Sequence, residues 1–220
     1  MKALIIGMSG GIGTALAQNL RARGFEVTGM SRSTDGLEVT DEASVADHLG
    51  RLSGEFDRVI VATGALTVNG AEPEKGIKAL TAAAMIDQFR VNAVGPALVL
   101  KHSLRLLPRD RRAVFAALSA RVGSIGDNQI GGWHSYRTSK TALNQLMHGA
   151  SIELRRTHKQ ATCVCLHPGT VETPFTAKYA GHHKTVPAAE AAENLVSVME
   201  RLRPEQSGGF FDYAGAPIAW

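Results

Sequence analysis

The sequence predicts a single doubly wound α/β domain: a mostly parallel sheet of about seven strands with helices on both faces. Three observations carry this. Short apolar runs alternate with longer segments of helical period along the 220 residues, the signature of repeated strand–helix–strand units. The strand segments are apolar almost without interruption, as in Leu-Ile-Ile at 4–6 and Val-Ile-Val at 59–61, so both of their faces are expected to be buried. No internal repeat and no Pro/Gly/Ser-rich linker divides the chain, and its length suits one core. Residues 1–220 are therefore expected to form one domain.

Taken in order, residues 2–6 form the first strand, and a glycine-rich turn leads into a helix over 12–23 that stops before Gly24. Residues 25–30 form the second strand, a brief third lies near 37–39, and a helix covers about 42–52. The fourth strand is 57–62. A loop punctuated by Gly64, Gly70, Pro73 and Gly76 then leads to a long helix over about 81–107, since such residues mark irregular connections. A fifth strand over 112–118, a helix over 134–157, a sixth strand over 161–166, a helix over about 188–202 and a last strand near 209–213 complete the chain.

Composition excludes several classes. Hydrophobic residues make up 44% and charged residues 20%, ordinary for a globular protein. The net charge of +4 comes from scattered Lys and Arg, with no basic stripe, so a nucleic-acid partner is not expected. No apolar run approaches the roughly 20 residues of a membrane helix. The apolar run after Lys2 is too short for an export signal, which makes a cytoplasmic location the expectation. Cys163 and Cys165 lie two apart in a strand, on one face. They are expected as buried thiols of a reducing compartment, and no metal site is expected.

The segment Gly7-Met8-Ser9-Gly10-Gly11-Ile12-Gly13 joins the first strand to the first helix. Gly7 makes the tight exit, Gly11 lets the backbone approach a phosphate, and Gly13 lets the helix pack close. The N–H groups at the helix start then face an anion. This is a Rossmann-like arrangement for a dinucleotide. The second strand ends in Met30-Ser31-Arg32-Ser33, with no carboxylate for a ribose hydroxyl. Arg32 offers a permanent, bidentate partner to a 2′-phosphate, and Ser31 or Ser33 adds a hydroxyl. NADP(H) is therefore expected in preference to NAD(H).

Tyr136 and Lys140, in Tyr-Arg-Thr-Ser-Lys, are four apart and share one helical face. A free tyrosine has a pKa near 10; a nearby ammonium favours the phenolate and brings the residue toward acid/base duty. Pro96 follows Asn92 by four positions. It frees the Asn92 carbonyl from its helical bond, so that this oxygen could face a water.

The glycine loop, Asn92, a serine after the fifth strand, Tyr136/Lys140 and Pro168-Gly169 after the sixth strand occur in the order of the short-chain dehydrogenase/reductase family, which the whole chain resembles. The resemblance implies a carbonyl reductase or alcohol dehydrogenase with Tyr136 as acid/base and Lys140 holding the ribose and tuning Tyr136. Ser119 would polarise the carbonyl, and Asn92 would hold a relay water. Ser124 is the alternative to Ser119, because the family's usual Ser-Ser reads Ser119-Ala120 here. The resemblance also implies a cofactor site built from Gly7, Ser9, Gly11, Ile12, Gly13, Ser31, Arg32, Val39, Ala62, Thr63, Gly64, Pro168, Gly169, Val171 and Thr173. The family's Asn-Ala-Gly at the fourth strand's exit is Ala62-Thr63-Gly64, so Thr63 would replace the asparagine. Backbone at Val171 and the Thr173 hydroxyl would orient the nicotinamide carboxamide.

The stretch from Pro174 to Pro187 is brief and is expected to form a short solvated lid over an open site for an aldehyde, ketone or quinone. His182-His183 belongs to that lid rather than to a metal site, and His167 is expected as a loop histidine. The tail from Gly208 to Trp220 resembles the C-factor and sniffer-type carbonyl reductase branch. Family resemblance favours a homodimer or homotetramer. The alternative from another class is a C-factor-type signalling protein that binds nucleotide with little or no turnover.

Overall fold

The computed structural model describes residues 1–174, 176 and 185–220. Its strands are β1 (Lys2–Ile6), β2 (Glu26–Met30), β3 (Arg58–Val61), β4 (Ala113–Leu118), β5 (Ala161–His167) and β6 (Phe210–Asp212). They form one six-stranded sheet in the order β2-β1-β3-β4-β5-β6, parallel at every pairing. The α-helices are α1 (Gly11–Ala22), α2 (Arg32–Asp35), α3 (Glu42–Gly50), α4 (Ala82–Phe89), α5 (Gly95–Ser103), α6 (His134–Thr157) and α7 (Ala188–Arg201).

Parallel strands need crossovers, and the crossovers cover both faces of the sheet. Leu4, Ile6, Val59, Val61 and Phe115 point to the face packed by Val45 and Leu49 of α3, Val99 of α5 and Leu143 and Met147 of α6. The alternate residues Ala3, Ile5, Ile60, Val114 and Ala116 meet Leu16 and Leu20 of α1 and Leu195 and Met199 of α7. Every β4 residue is buried, which explains a strand sequence that lacks the usual polar alternation. Cys163 and Cys165 are free thiols in the first of these two layers, and burial pushes the Cys163 thiol up to about 12.

Two expected elements take another form. Leu37 and Val39 alternate into the core as a strand would. Their backbone pairs with no neighbour strand, however: the Leu37 N–H donates to the Ser31 carbonyl (3.3 Å) and the Glu38 N–H to the Ser44 hydroxyl (3.0 Å). Local hydroxyl and carbonyl partners have replaced a ladder, and the sheet ends at β2. The long helix expected over 81–107 is two helices, α4 and α5, joined by a π-helical turn at Arg90–Val94. There the Gly95 N–H donates to the carbonyl of Arg90, five residues back. Pro96, which lacks an N–H, stands just beyond this change of register.

β2 lies on one side of β1 and β3 on the other. The crossovers diverge there and open a crevice at the strands' carboxyl ends.

Candidate active site

The crevice floor is the β1–α1 loop. Gly7 adopts φ +88° and donates its N–H to the Met30 carbonyl (2.7 Å). A Cβ on Gly13 would stand 2.2 Å from the Gly7 carbonyl oxygen, so the helix meets the loop at a distance only glycine permits. At Gly11 the neighbour is the Thr173 methyl, 2.7 Å from where a Cβ would lie; this glycine makes room for the segment after β5 as well as for a phosphate. No side chain caps α1, and its first turn holds no acid. Thr14 donates the first intrahelical bond, leaving the N–H groups of Gly11, Ile12 and Gly13 at the open, positive end. Among the described residues the buried Thr63 hydroxyl has no partner. A glycine cradle, an uncapped helix start and an orphaned hydroxyl are what a dinucleotide would satisfy.

The loop borders a cavity of about 650 Å³. Into its wall β1's exit sends Ser9, Gly11 and Ile12, β3's exit sends Ala62, Thr63 and Gly64, and β4's sends Ser119. Tyr136 and Lys140 enter from α6, and Pro168, Gly169, Val171 and Thr173 from beyond β5. Of the other residues expected here, Gly7 and Gly13 lie within the loop, and Ser31, Arg32, Val39 and Asn92 stand outside the wall. Val39 is a core residue against Gly95. Ser31 caps α2. Arg32 is 82% exposed, 3.7 Å from the Glu38 carboxylate, and the Ser33 hydroxyl donates to Ser9 (2.9 Å). Phe175 and residues 177–184 of the expected lid, His182 and His183 among them, lie outside the described residues.

Lys140 is buried and donates from Nζ to the Leu118 carbonyl (2.9 Å). The same atom sits 5.9 Å from the Tyr136 ring centroid. Burial lowers the Lys140 ammonium to about 8. Burial also pushes the Tyr136 phenol above its ordinary value, so in the polypeptide alone desolvation outweighs the lowering expected from Lys140. Such a phenol is held protonated, the form that donates to a carbonyl oxygen.

Ser119 and Ser124 separate cleanly. Ser119 lines the cavity, and its hydroxyl donates to Oδ1 of Asn144 (2.6 Å). Ser124 lies outside the wall, and its hydroxyl accepts the Asp127 N–H (3.1 Å). Asn144 was not foreseen. It follows Lys140 by one helical turn, is buried, and also donates to the Gly123 carbonyl (3.3 Å); with Gln145 beside it, nothing in its local sequence singles it out.

Asn92 is fully buried in the π-helical turn. Its side chain accepts the Ala65 N–H (3.0 Å) and donates to the Ala65 carbonyl (2.9 Å) and to Gln88 (2.6 Å). A Cβ on Gly64 would come within 3.1 Å of Asn92 Oδ1 and 3.4 Å of Lys140 Nζ. Gly64 thus separates the amide from the ammonium, and the Asn92 side chain pins the β3 exit loop.

Glu74 was also missed. Its carboxylate accepts the Ser135 N–H (3.1 Å) and hydroxyl, and its carbonyl accepts the Trp133 N–H (2.6 Å). These bonds hold Trp133 at φ +49°, after Gly131 and Gly132 with φ also positive, and so fix the turn that starts α6 two residues before Tyr136. His167 also faces the cavity; burial lowers its pKa to about 4, which makes it a neutral imidazole.

An α/β crevice with a glycine cradle beside a Tyr–Lys helix defines a class of dinucleotide-handling enzymes. The sequence profile of the short chain dehydrogenases matches residues 1–184, and the chain belongs to that family. It is 36% identical to the C-signal protein of Myxococcus xanthus over 62% of this chain and 78% of that one. It is 28% identical to a 1-hydroxy-2-glutathionyl-2-methyl-3-butene dehydrogenase of Rhodococcus over 99% and 98% of the two chains. A short-chain dehydrogenase/reductase of Burkholderia multivorans with bound NADP superposes with a TM-score of 0.83 at 25% identity, over 100% and 99% of the chains. The carbonyl reductase Sniffer of D. melanogaster shares the fold (TM-score 0.81, 22% identity, 100% and 99% covered). No helix among the described residues is long and apolar enough to cross a membrane.

Proposed function

We propose that the chain is an NADP(H)-dependent carbonyl reductase acting on an aldehyde, ketone or quinone, or oxidising the matching alcohol. The observation that carries this reading is the convergence of Tyr136, Lys140 and Ser119 on one cavity floored by the glycine loop. A reduced nicotinamide, when bound, supplies the hydride. The open end of α1 would hold its pyrophosphate. Thr63 and Gly64 would meet the adenosine side, and Val171 and Thr173 the carboxamide. Lys140, fixed by Leu118, would take the ribose hydroxyls. Tyr136 donates its proton to the developing alkoxide, and its buried, protonated phenol suits that direction. The Ser119 hydroxyl, oriented by Asn144, polarises the carbonyl. Asn92 holds the Ala65 backbone beside Gly64 and so keeps the floor under Lys140 in place.

Arg32 supports the choice of NADP(H): it is exposed at the β2 exit, where a 2′-phosphate would lie, and only loosely engaged by Glu38. The assay is NADPH oxidation by the purified protein against a panel of aldehydes, ketones and quinones, with Tyr136→Phe as the paired control. Turnover that collapses in the variant while NADPH still binds supports the reading. The similarity to a C-signal protein favours one second reading, a nucleotide-binding signalling protein, for which both forms would bind NADPH tightly and neither would oxidise it.

A further inference from the structure

Two guanidinium groups line the cavity, and among the described residues only one is neutralised. Arg121 lies 3.2 Å from the Asp127 carboxylate and 3.4 Å from that of Asp212. Arg137, the residue after Tyr136, is half-buried in the same wall. It donates from Nε to the Gly132 carbonyl (3.0 Å) and from Nη1 to the Val122 carbonyl (3.3 Å). Among the described residues no carboxylate comes within ion-pair distance of it. Two of its five N–H donors are engaged by neutral oxygens, which fix the plane of the group and leave the rest for a ligand. A partly desolvated cation without a counter-ion is unfavourable in a folded chain unless something supplies the charge.

The surroundings specify the rest of the ligand. Val122, Ile130, Leu66 and the Trp133 ring, set edge-on to Tyr136 at 6.2 Å, give the wall an apolar, partly aromatic character. The cavity's one wall carboxylate among the described residues, Asp127, is already engaged by Arg121.

Building on the reductase reading above, we propose that the substrate is a carbonyl compound bearing a carboxylate on an apolar body, with Arg137 as the residue that binds the carboxylate. Arg137 would pair with the anion through its free N–H groups while Tyr136 donates to the carbonyl oxygen. The apolar wall would take the segment between the two groups. Arg137 would then set specificity without taking part in proton transfer.

The test compares 4-carboxybenzaldehyde with its neutral counterpart methyl 4-formylbenzoate in NADPH oxidation. The proposal expects kcat/KM for the acid to exceed that for the ester by at least 10-fold, with the excess shrinking as salt is added. Arg137→Gln should lower kcat/KM for the acid at least 10-fold more than for the ester, chiefly through KM, and Arg137→Lys should restore part of the difference. Equal turnover, or preference for the ester, by the unaltered protein overturns the proposal and leaves the reductase reading standing. Because that comparison uses the unaltered protein, a folding defect in the Arg137 variants does not blunt it. If neither compound is turned over, fluorescence titration of the NADPH-loaded protein with both compounds decides. Tighter binding of the acid upholds the anion site, and the reductase reading then rests on the wider carbonyl panel; equal or weaker binding overturns the anion site.

Discussion

Replacing Lys140 by Met should stabilise the protein while removing its activity. The ammonium is buried, with one hydrogen bond to the Leu118 carbonyl and no carboxylate partner in ion-pair range among the described residues. Its pKa falls from 10.5 to about 8, which corresponds to a folding penalty of about 3 kcal/mol at neutral pH. Methionine fills similar space without the charge. The orphaned Leu118 carbonyl takes back about 1–3 kcal/mol, leaving a net gain of about 1 kcal/mol at pH 7. The sign of the pH dependence follows. Between pH 8 and 10.5 the unfolded chain binds more protons than the folded one, so the parent's stability rises with pH there. The lysine penalty is full below pH 8 and disappears toward 10.5. Urea unfolding of both proteins at pH 7, 8.5 and 10 reads the difference. Lys140→Met should be the more stable at pH 7, with the gap closing or reversing by pH 10, and its kcat should fall at least 100-fold. A variant less stable than the parent at pH 7, or a gap that does not change with pH, would mean that the buried ammonium carries no such penalty.

Further outcomes follow from the same geometry. Gly13→Ala places a methyl against the Gly7 carbonyl and should cost about 1–3 kcal/mol of stability and the shift in melting temperature that NADPH produces in the parent, both read by thermal unfolding. Ser119→Ala should lower kcat/KM by about 100-fold. Ser124→Ala, which loses only the bond to the Asp127 N–H, should cost about 1 kcal/mol and leave kcat/KM within twofold; steady-state kinetics and denaturant unfolding check the pair. Arg32→Ala should raise KM for NADPH by at least 10-fold and leave KM for NADH unchanged.

The sequence made the sheet legible because burial on both faces leaves a plain mark: after the leading Lys2 and Arg58, β1, β3 and β4 are runs of Ala, Leu, Ile, Val and Phe, and β5 is apolar but for Thr162 and His167, with no polar alternation. The glycine loop and the Tyr136–Lys140 pair were legible for a related reason, since each is a local pattern whose spacing is itself the constraint. The 37–39 segment misled because burial, not pairing, sets its alternation. Leu37 and Val39 fill the core while the Leu37 and Glu38 N–H groups donate to the Ser31 carbonyl and the Ser44 hydroxyl. Glu74 and Asn144 escaped because their partners are remote. Glu74 meets Ser135 across 61 residues and Asn144 meets Ser119 across 25, and nothing in either local sequence announces the contact. Asn92 was found, but its helical break took the form of a π-helical turn, and the side chain rather than the freed carbonyl makes the contacts to Ala65 and Gln88.

If Tyr136 donates the proton in a carbonyl reduction, its loss must slow the chemical step itself. Single-turnover NADPH oxidation by the parent protein and by Tyr136→Phe, at saturating carbonyl substrate and across pH 6–9, tests it most directly. Phe should lower the rate by about 100-fold or more, with NADPH affinity unchanged. A variant that reduces the same substrate at the parent rate would contradict it.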